Sequence, residues 1–348
     1  MRVKSYQRKL DIKNGCIDLS HGSGGRATTE LVLGLFHEAF GNEWLARCND
    51  QSAFGVRSGR MVMTTDSYVV SPLFFPGGNI GSLAVHGTIN DVAMAGARPL
   101  YLAASFILEE GFRLSDLKAI ADSMGAAARA AGVHIITGDT KVVERGKADG
   151  LFISTTGVGV LANGLELSAE NARIGDRVLV SGCLGNHGVA IMSRRHNLAF
   201  QVDIVSDSAA LHDLVAVMVA AGGASIRVMR DPTRGGLAAT LNEIAHQSSL
   251  GFRLQEEAIP VKPVVTAACE LLGLDPLHVA NEGKLVAIVA ADMADAVLAA
   301  MKAHPLGCDA ADIGEAVADH HHLVQMSTSF GGGRIVDWLS GEQLPRIC

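Results

Sequence analysis

The fold is decided between Arg60 and Leu108. Arg60–Val70 (RMVMTTDSYVV) reads as a strand broken by a polar turn. Ile80–Ala95 (IGSLAVHGTINDVAMA) carries apolar residues at helical spacing and is closed by Gly96, and Tyr101–Leu108 (YLAASFIL) is a second strand. The alternation continues outward. Leu117, Ile120, Ala121, Met124 and Ala128 share one helical face that stops at Gly132, and Val133–Thr137 (VHIIT) and Leu151–Leu161 are further strands. Ala162–Asp176 (ANGLELSAENARIGD) is polar and glycine-bearing, and reads as a linker. Beyond it come strand Arg177–Ser181, helices near 186–196, 209–221, 236–247 and 263–272, a strand at 284–290, a helix at 293–303 and a strand at 312–318. This pattern predicts an α/β (α+β type) protein of two mixed α/β domains.

Composition bounds the function. The chain has 348 residues, 48% of them apolar and 19% charged, which fits two folded domains and excludes wholesale disorder. A net charge of −7 argues against nucleic acid and anionic membrane as partners, because both demand a clustered basic surface. The apolar run Leu214–Ile226 (LVAVMVAAGGASI) has 13 residues, short of the ~20 that a membrane span needs. The basic N-terminus is not followed by an apolar signal core, so a cytoplasmic location is expected. Six Cys (16, 48, 183, 269, 308 and 348) form no CxxC pair, so neither a zinc site nor a disulfide framework is expected. The first five have apolar or small neighbours and read as inert.

The chemistry-bearing residues sit among glycines and hydroxyls. Asp66 (TTDS) and Asp139 (TGDT) read as strand ends, and Asp91 (TINDVAMAG) lies inside an apolar helix. One such Asp is accounted for by a cap or a buried hydrogen bond; three together suggest a hard-cation site, with Mg2+ the natural occupant. His21–Arg26 (HGSGGR) and Asp231–Gly236 (DPTRGG), the latter just before a helix, are candidate phosphate contacts, although each alone equally fits a tight turn. Neither is a P-loop or a GxGxxG turn. Lys141 (GDTKVV) has the chemistry to pair with phosphate and Glu282 (NEGK) that of a metal ligand or base, and ordinary surface charge fits both as well. His320–His322 are consecutive and have no companion Cys/His cluster, so no metal is assigned to them.

The tail reads differently. Gly331–Cys348 (GGGRIVDWLSGEQLPRIC) has three leading glycines and no periodicity, which predicts a mobile arm. Its 18 residues reach at most about 60 Å extended. A thiol at the end of such an arm has no core to join and suits a group carrier.

Together HGSGGR, TTDSYVVSPLFFPGGNIG, GTINDVAMAGARP, FILEEG, TGDTKVV, DPTRGG, NEGK and the closing PRIC resemble the HypE family of hydrogenase maturation proteins, from about residue 18 to residue 348. This family lies in the superfamily of aminoimidazole ribonucleotide synthetase and selenophosphate synthetase. The resemblance implies a flexible leader at 1–17, an ATP-binding and dimerising domain at 18–165, a second α/β domain at 166–330 and a tail at 331–348 that ends in a carrier Cys. It implies ATP-dependent carbamoyl dehydration: Cys348 is carbamoylated by the carbamoyltransferase HypF. The thiocarbamate is then dehydrated to a thiocyanate, and cyanide passes to [NiFe] hydrogenase through HypC–HypD. On the same ground Asp66, Asp91 and Asp139 hold Mg–ATP with Asp231 as a further candidate, and His21, Gly22, Gly24 and Gly25 cover the phosphates. Lys141 and Glu282 flank the reacting amide, Glu282 as base. A selenophosphate synthetase has no use for the terminal thiol, and a non-enzymatic carrier has none for the three Asp.

Overall fold

The computed structural model describes residues 10–23, 25–49, 51–55, 59–161, 164–198, 204–338 and 346–348. The first domain opens with α1 (Arg26–Leu31), a π-helical turn (Val32–Phe36) and α2 (His37–Phe40). Then come β1 (Arg60–Tyr68), the short pair β2 (Phe74–Phe75) and β3 (Gly78–Asn79), and α3 (Ile80–Met94). β4 (Ala97–Glu109), α4 (Leu114–Ala130), β5 (His134–Val143) and β6 (Leu151–Leu161) complete it. Asn79 starts α3 by accepting from the Gly81 and Ser82 N–H groups, and Gly96 ends it with a φ of 74° that a β-carbon disfavours. The sheet order is β1-β6-β4-β5, antiparallel except for β4 with β5. Helices α3 and α4 cover one face only.

The second domain holds β7 (Arg177–Val180), α5 (Asn186–Arg195), α6 (His212–Gly222), β8 (Ile226–Arg230), α7 (Gly236–Ser248) and β9 (Gly251–Gln255). It continues with α8 (Pro263–Leu272), β10 (Val286–Val289), α9 (Ala291–Lys302), β11 (Ala311–Val317), β12 (Val324–Ser327) and β13 (Gly333–Ile335). Its sheet runs β13-β12-β9-β11-β7-β10-β8. Helix α7 packs on one face, and α6 and α9 on the other. Helices α5 and α8 bury Val189, Ile191, Val265 and Cys269 against the first domain's core, so apolar packing is continuous between the domains.

Several expectations are corrected. TTDS is no turn: β1 runs unbroken, because Thr65 and Ser67 pair with Thr156 and Ser154 across the strands. Asp66 and Asp139 therefore lie within strands. Strands β8, β9, β12 and β13 escape the hydrophobic pattern because polar or charged residues interrupt each of them, whereas the equally short β7 and β10 are nearly all apolar. Within the supposed linker, Leu165, Ala169 and Ala172 are buried, so its described part is packed rather than solvated. In the leader, Leu10 and Ile12 pack on the core, and the Ile17 N–H bonds Phe112 O at 2.8 Å, so residues 10–17 are held in place.

The arm is corrected as well. Its glycines serve a hairpin: Gly331 takes φ 83°, the Thr328 N–H bonds Gly332 O, and β13 pairs with β12. Val336 is buried, and Arg346–Cys348 is docked through the bonds Val69 N–H to Cys348 O at 3.0 Å and Ser71 N–H to Arg346 O at 3.1 Å. Residues 339–345 lie outside the described set. Of the five cysteines read as inert, only Cys269 is buried; Cys16, Cys48 and Cys308 are exposed, because each lies in or beside a turn. All six are free thiols. No described helix is long and apolar enough to cross a membrane.

Candidate active site

Four carboxylates and the terminal thiol gather where α3, the loop after β8 and the loop before β10 meet. Asp91, in the last turns of α3, accepts from Thr64 Oγ1 of β1 at 2.9 Å. Burial raises its pKa to about 6, with the Asp66 charge adding to the rise. Asp231 follows β8 directly, and burial, then the charges of Asp91 and Asp66, push it up to about 7. Glu282, 3% exposed, is raised well above the ordinary carboxylate range by burial and by Asp231, Asp207, Asp66 and Asp91. Its Oε1 is buried without a hydrogen-bond partner.

Neighbouring side chains hold this arrangement. Asn90, fully buried beside Asp91, donates to Glu282 O at 3.1 Å and Ala209 O at 3.0 Å, and accepts from the Leu211 N–H at 2.8 Å. Asp207 accepts from the Glu282 N–H at 3.2 Å and faces Lys284 Nζ at 3.4 Å. Cys348 brings its Sγ to 3.6 Å from Arg234 Nη2. Burial and the Glu282 charge push its thiol up to about 11, against the pull of Arg234. Asn90, Asp207 and Arg234 escape sequence reasoning. Asn90 and Arg234 stand inside motifs already singled out, TINDVAMAG and DPTRGG, whereas nothing local marks Asp207.

The remaining candidates lie elsewhere in the chain. Asp66, Thr155, Ala104 and Gly138 form one cross-sheet row, so Asp139, one residue past Gly138, faces the opposite side of the sheet. Three strand spacings, roughly 14 Å, add to that separation. Asp139 instead pairs with Lys141 Nζ at 2.7 Å, which lowers its pKa. Within one chain, therefore, Asp139 does not join Asp66 and Asp91 around a cation, and Lys141 is not beside Cys348. No three His, Cys, Asp or Glu side chains among the described residues converge to ligate one ion.

Asp139 lines a separate cavity. That cavity, of about 350 Å³, is lined by Thr28, Thr29, Phe36, Gly138, Asp139 and Thr140, among others. The glycine-rich loop lies close by. Gly22 packs so tightly on β5 that a β-carbon would come within 2.8 Å of Val142. His21 is buried and caps its own turn by accepting from the Asp18 N–H at 3.1 Å, while Gly25 stands at the N-cap of α1. Gly24 lies outside the described residues.

The two domains match the AIR synthase related protein family, its N-terminal domain over residues 49–161 and its C-terminal domain over 173–327. Over 346 residues the chain is 83% identical to the carbamoyl dehydratase HypE of Bradyrhizobium diazoefficiens, covering 99% of this chain and 100% of that protein. It belongs to the HypE family. A crystal structure of the hydrogenase maturation protein HypE in complex with ATP matches at a TM-score of 0.91 and 49% identity, covering 95% of this chain and 99% of that one. HypE in a HypE–HypF complex matches at 0.79 and 49% identity, covering 89% and 99%. As a HypE-family member the chain is an enzyme.

Proposed function

We propose that the protein uses ATP to dehydrate a carbamoyl group carried on Cys348. The observation that carries this reading is the seating of the Cys348 thiol beside Arg234, within the field of Glu282. The thiocarbamate S–C(=O)–NH2 has a poor leaving group in its oxygen. Phosphoryl transfer from ATP to that oxygen, with one N–H proton withdrawn and ADP released, gives S–C(=NH)–OPO3. Cleavage of the C–O bond with loss of the second proton then yields S–C≡N and phosphate. Glu282 is the base, because a carboxylate raised this far accepts a proton readily. Arg234 steadies negative charge at the reacting end. The thiocyanate supplies cyanide ligands for [NiFe] hydrogenase.

Mg2+ would enter with ATP. Among the described residues no three side chains converge on one ion, but Asp66, Asp91 and Asp231 repel one another electrostatically and a cation relieves that repulsion; we assign them as the carboxylates that would draw it in, with Asp139 replaced by Asp231 within the chain. Bound there, Mg2+ would neutralise charge on the transferring phosphoryl group.

A homodimer completes the site. The uncovered face of the first sheet exposes Met61, Met63 and Ile107, with Met63 at 73%, and its two edge strands β1 and β5 lack partners among the described residues. Two such sheets face to face close into a barrel, β1 of one protomer beside β5 of the other. That closure sets the edge strand of one protomer that carries Asp139 and Lys141 beside the partner's β1, which carries Asp66 on the other face of the joined sheet. HypF is the proposed carbamoyl donor and HypC–HypD the acceptor, in the cytoplasm.

Intact-protein mass spectrometry with HypF, carbamoyl phosphate and Mg–ATP tests the reading. A carbamoyl adduct on Cys348 that loses one water only with hydrolysable ATP supports it. An adduct carried equally by Cys348→Ala overturns it.

A further inference from the structure

The docked terminus is held by two main-chain bonds, by the Arg346 side chain, which donates to Val69 O at 2.9 Å and pairs with Asp149, and by side chains of the second domain, of which His187 is the fully buried one. His187, on α5, is completely buried. Its Nε2 lies 2.9 Å from the Ile347 carbonyl oxygen, and its Nδ1 2.8 Å from Ser206 Oγ. A carbonyl only accepts, so Nε2 carries the proton, and Nδ1 accepts from the Ser206 hydroxyl. Ser206 Oγ in turn accepts from the Ser208 N–H at 3.1 Å. The Phe75 ring stands edge-on to the imidazole at 5.5 Å. Burial lowers the pKa of His187, in keeping with the neutral tautomer that this chain of donors requires. A buried imidazole is costly unless both nitrogens are satisfied, and here one of the two partners is the tail itself.

We propose that His187 is the positioning residue for the carrier thiol: through the Ser206–His187–Ile347 chain it fixes the residue preceding Cys348, and so seats Sγ beside Arg234. Arg195 assists by donating to Arg346 O at 3.0 Å, but it also serves Ser71 O, whereas the Nε2 bond of His187 goes to the tail. The catalytic consequence rests on the reading of Cys348 as the carbamoyl carrier. The seating does not, and it is measurable without any substrate.

The test is the alkylation rate of Cys348 by iodoacetamide in the full-length protein, read by peptide mass spectrometry with exposed Cys16, Cys48 and Cys308 as internal references. His187→Gln keeps a donor near the Nε2 position, His187→Asn keeps only a group near Nδ1, and His187→Phe keeps neither. Cys348 should alkylate about threefold to thirtyfold faster in the Phe and Asn variants, the size expected for one lost buried hydrogen bond. The Gln variant should stay near wild type. Ser206→Ala, which removes the support for Nδ1, should fall between. The thermal midpoint of each variant shows whether the fold is intact, and in folded variants the reference cysteines keep their rates. Equal Cys348 rates in all four variants overturn the proposal, as does a Gln variant as fast as the Phe variant. Under turnover the Phe variant should lower kcat for water loss and leave KM for ATP unchanged. If alkylation follows the expected order while no dehydration occurs in wild type, the seating stands and the carbamoyl reading falls.

Discussion

Asp231 offers the sharpest test of the buried carboxylate cluster. Its carboxyl is lifted from 3.8 to about 7, chiefly by burial and then by Asp91 and Asp66. For an acid whose folded pKa lies above its unfolded value, the folded state holds the proton more tightly, so ionisation opposes folding. The penalty is absent below about pH 4, grows as pH rises through the interval up to about 7, and is constant above it. A shift of this size corresponds to about 4 kcal/mol, at about 1.4 kcal/mol per tenfold change in proton affinity. Asp91 and Asp66 retain their charges, and the asparagine must still be accommodated, so about 2–4 kcal/mol is the expected gain for Asp231→Asn at pH 8. Urea unfolding of the metal-free protein at pH 4.5, 6 and 8 measures it. The variant should be more stable than wild type at pH 8, with the advantage shrinking towards pH 4.5. Added Mg2+ should stabilise wild type more than the variant, since a cation that binds the folded state alone offsets the repulsion. A variant less stable than wild type at pH 8, or a difference that ignores pH, refutes the reasoning.

Further outcomes follow from the same geometry. Glu282→Gln should melt no lower than wild type, since a neutral amide replaces a strained carboxylate, yet slow water loss from carbamoylated Cys348 by about 10²–10⁴-fold while the adduct still forms, as single-turnover mass spectrometry would show. Gly283→Ala places a β-carbon 1.8 Å from Asp207 O, so the loop carrying Glu282 must move. A loss of about 1–3 kcal/mol is expected by urea unfolding, together with lost dehydration. Met63→Lys on the uncovered sheet face should convert dimer to monomer in sedimentation velocity; an unchanged dimer would place the interface elsewhere.

Much of the fold was legible because the apolar periodicity is strong where the elements are long. α3, α4 and α8 announce themselves, and α8 begins at Pro263 and ends before Gly273 as the capping rules require. Four short strands, β8, β9, β12 and β13, are broken by polar or charged residues and so show no apolar run, unlike the equally short β7 and β10. The tail misled for a chemical reason: the glycines that suggest freedom also make the turn at 328–332, and the docking of Arg346–Cys348 rests on main-chain groups and on side chains distant in sequence, which leave no mark on local composition. At the site, Asp66, Asp91, Asp231 and Glu282 stood out as acids among small neighbours. Asn90, Asp207 and His187 act through partners 192, 75 and 160 residues away in sequence, and no local pattern records such pairings.

The placement of two aspartates on opposite edges of one sheet bears on inheritance as well as chemistry. Asp66 stands on edge strand β1 and Asp139 on edge strand β5, so in the dimer proposed above each seam would join one protomer's Asp66 half to its partner's Asp139 half. Two damaged chains, one lacking the Asp66 half and one lacking the Asp139 half, would then be inert alone. Mixed at random, half of their dimers would be hybrids, each with one whole site and one doubly broken one. About a quarter of all sites would be restored. Two recessive lesions in the same gene would thus complement each other, a genetic signature written by which edge of a sheet each residue stands on.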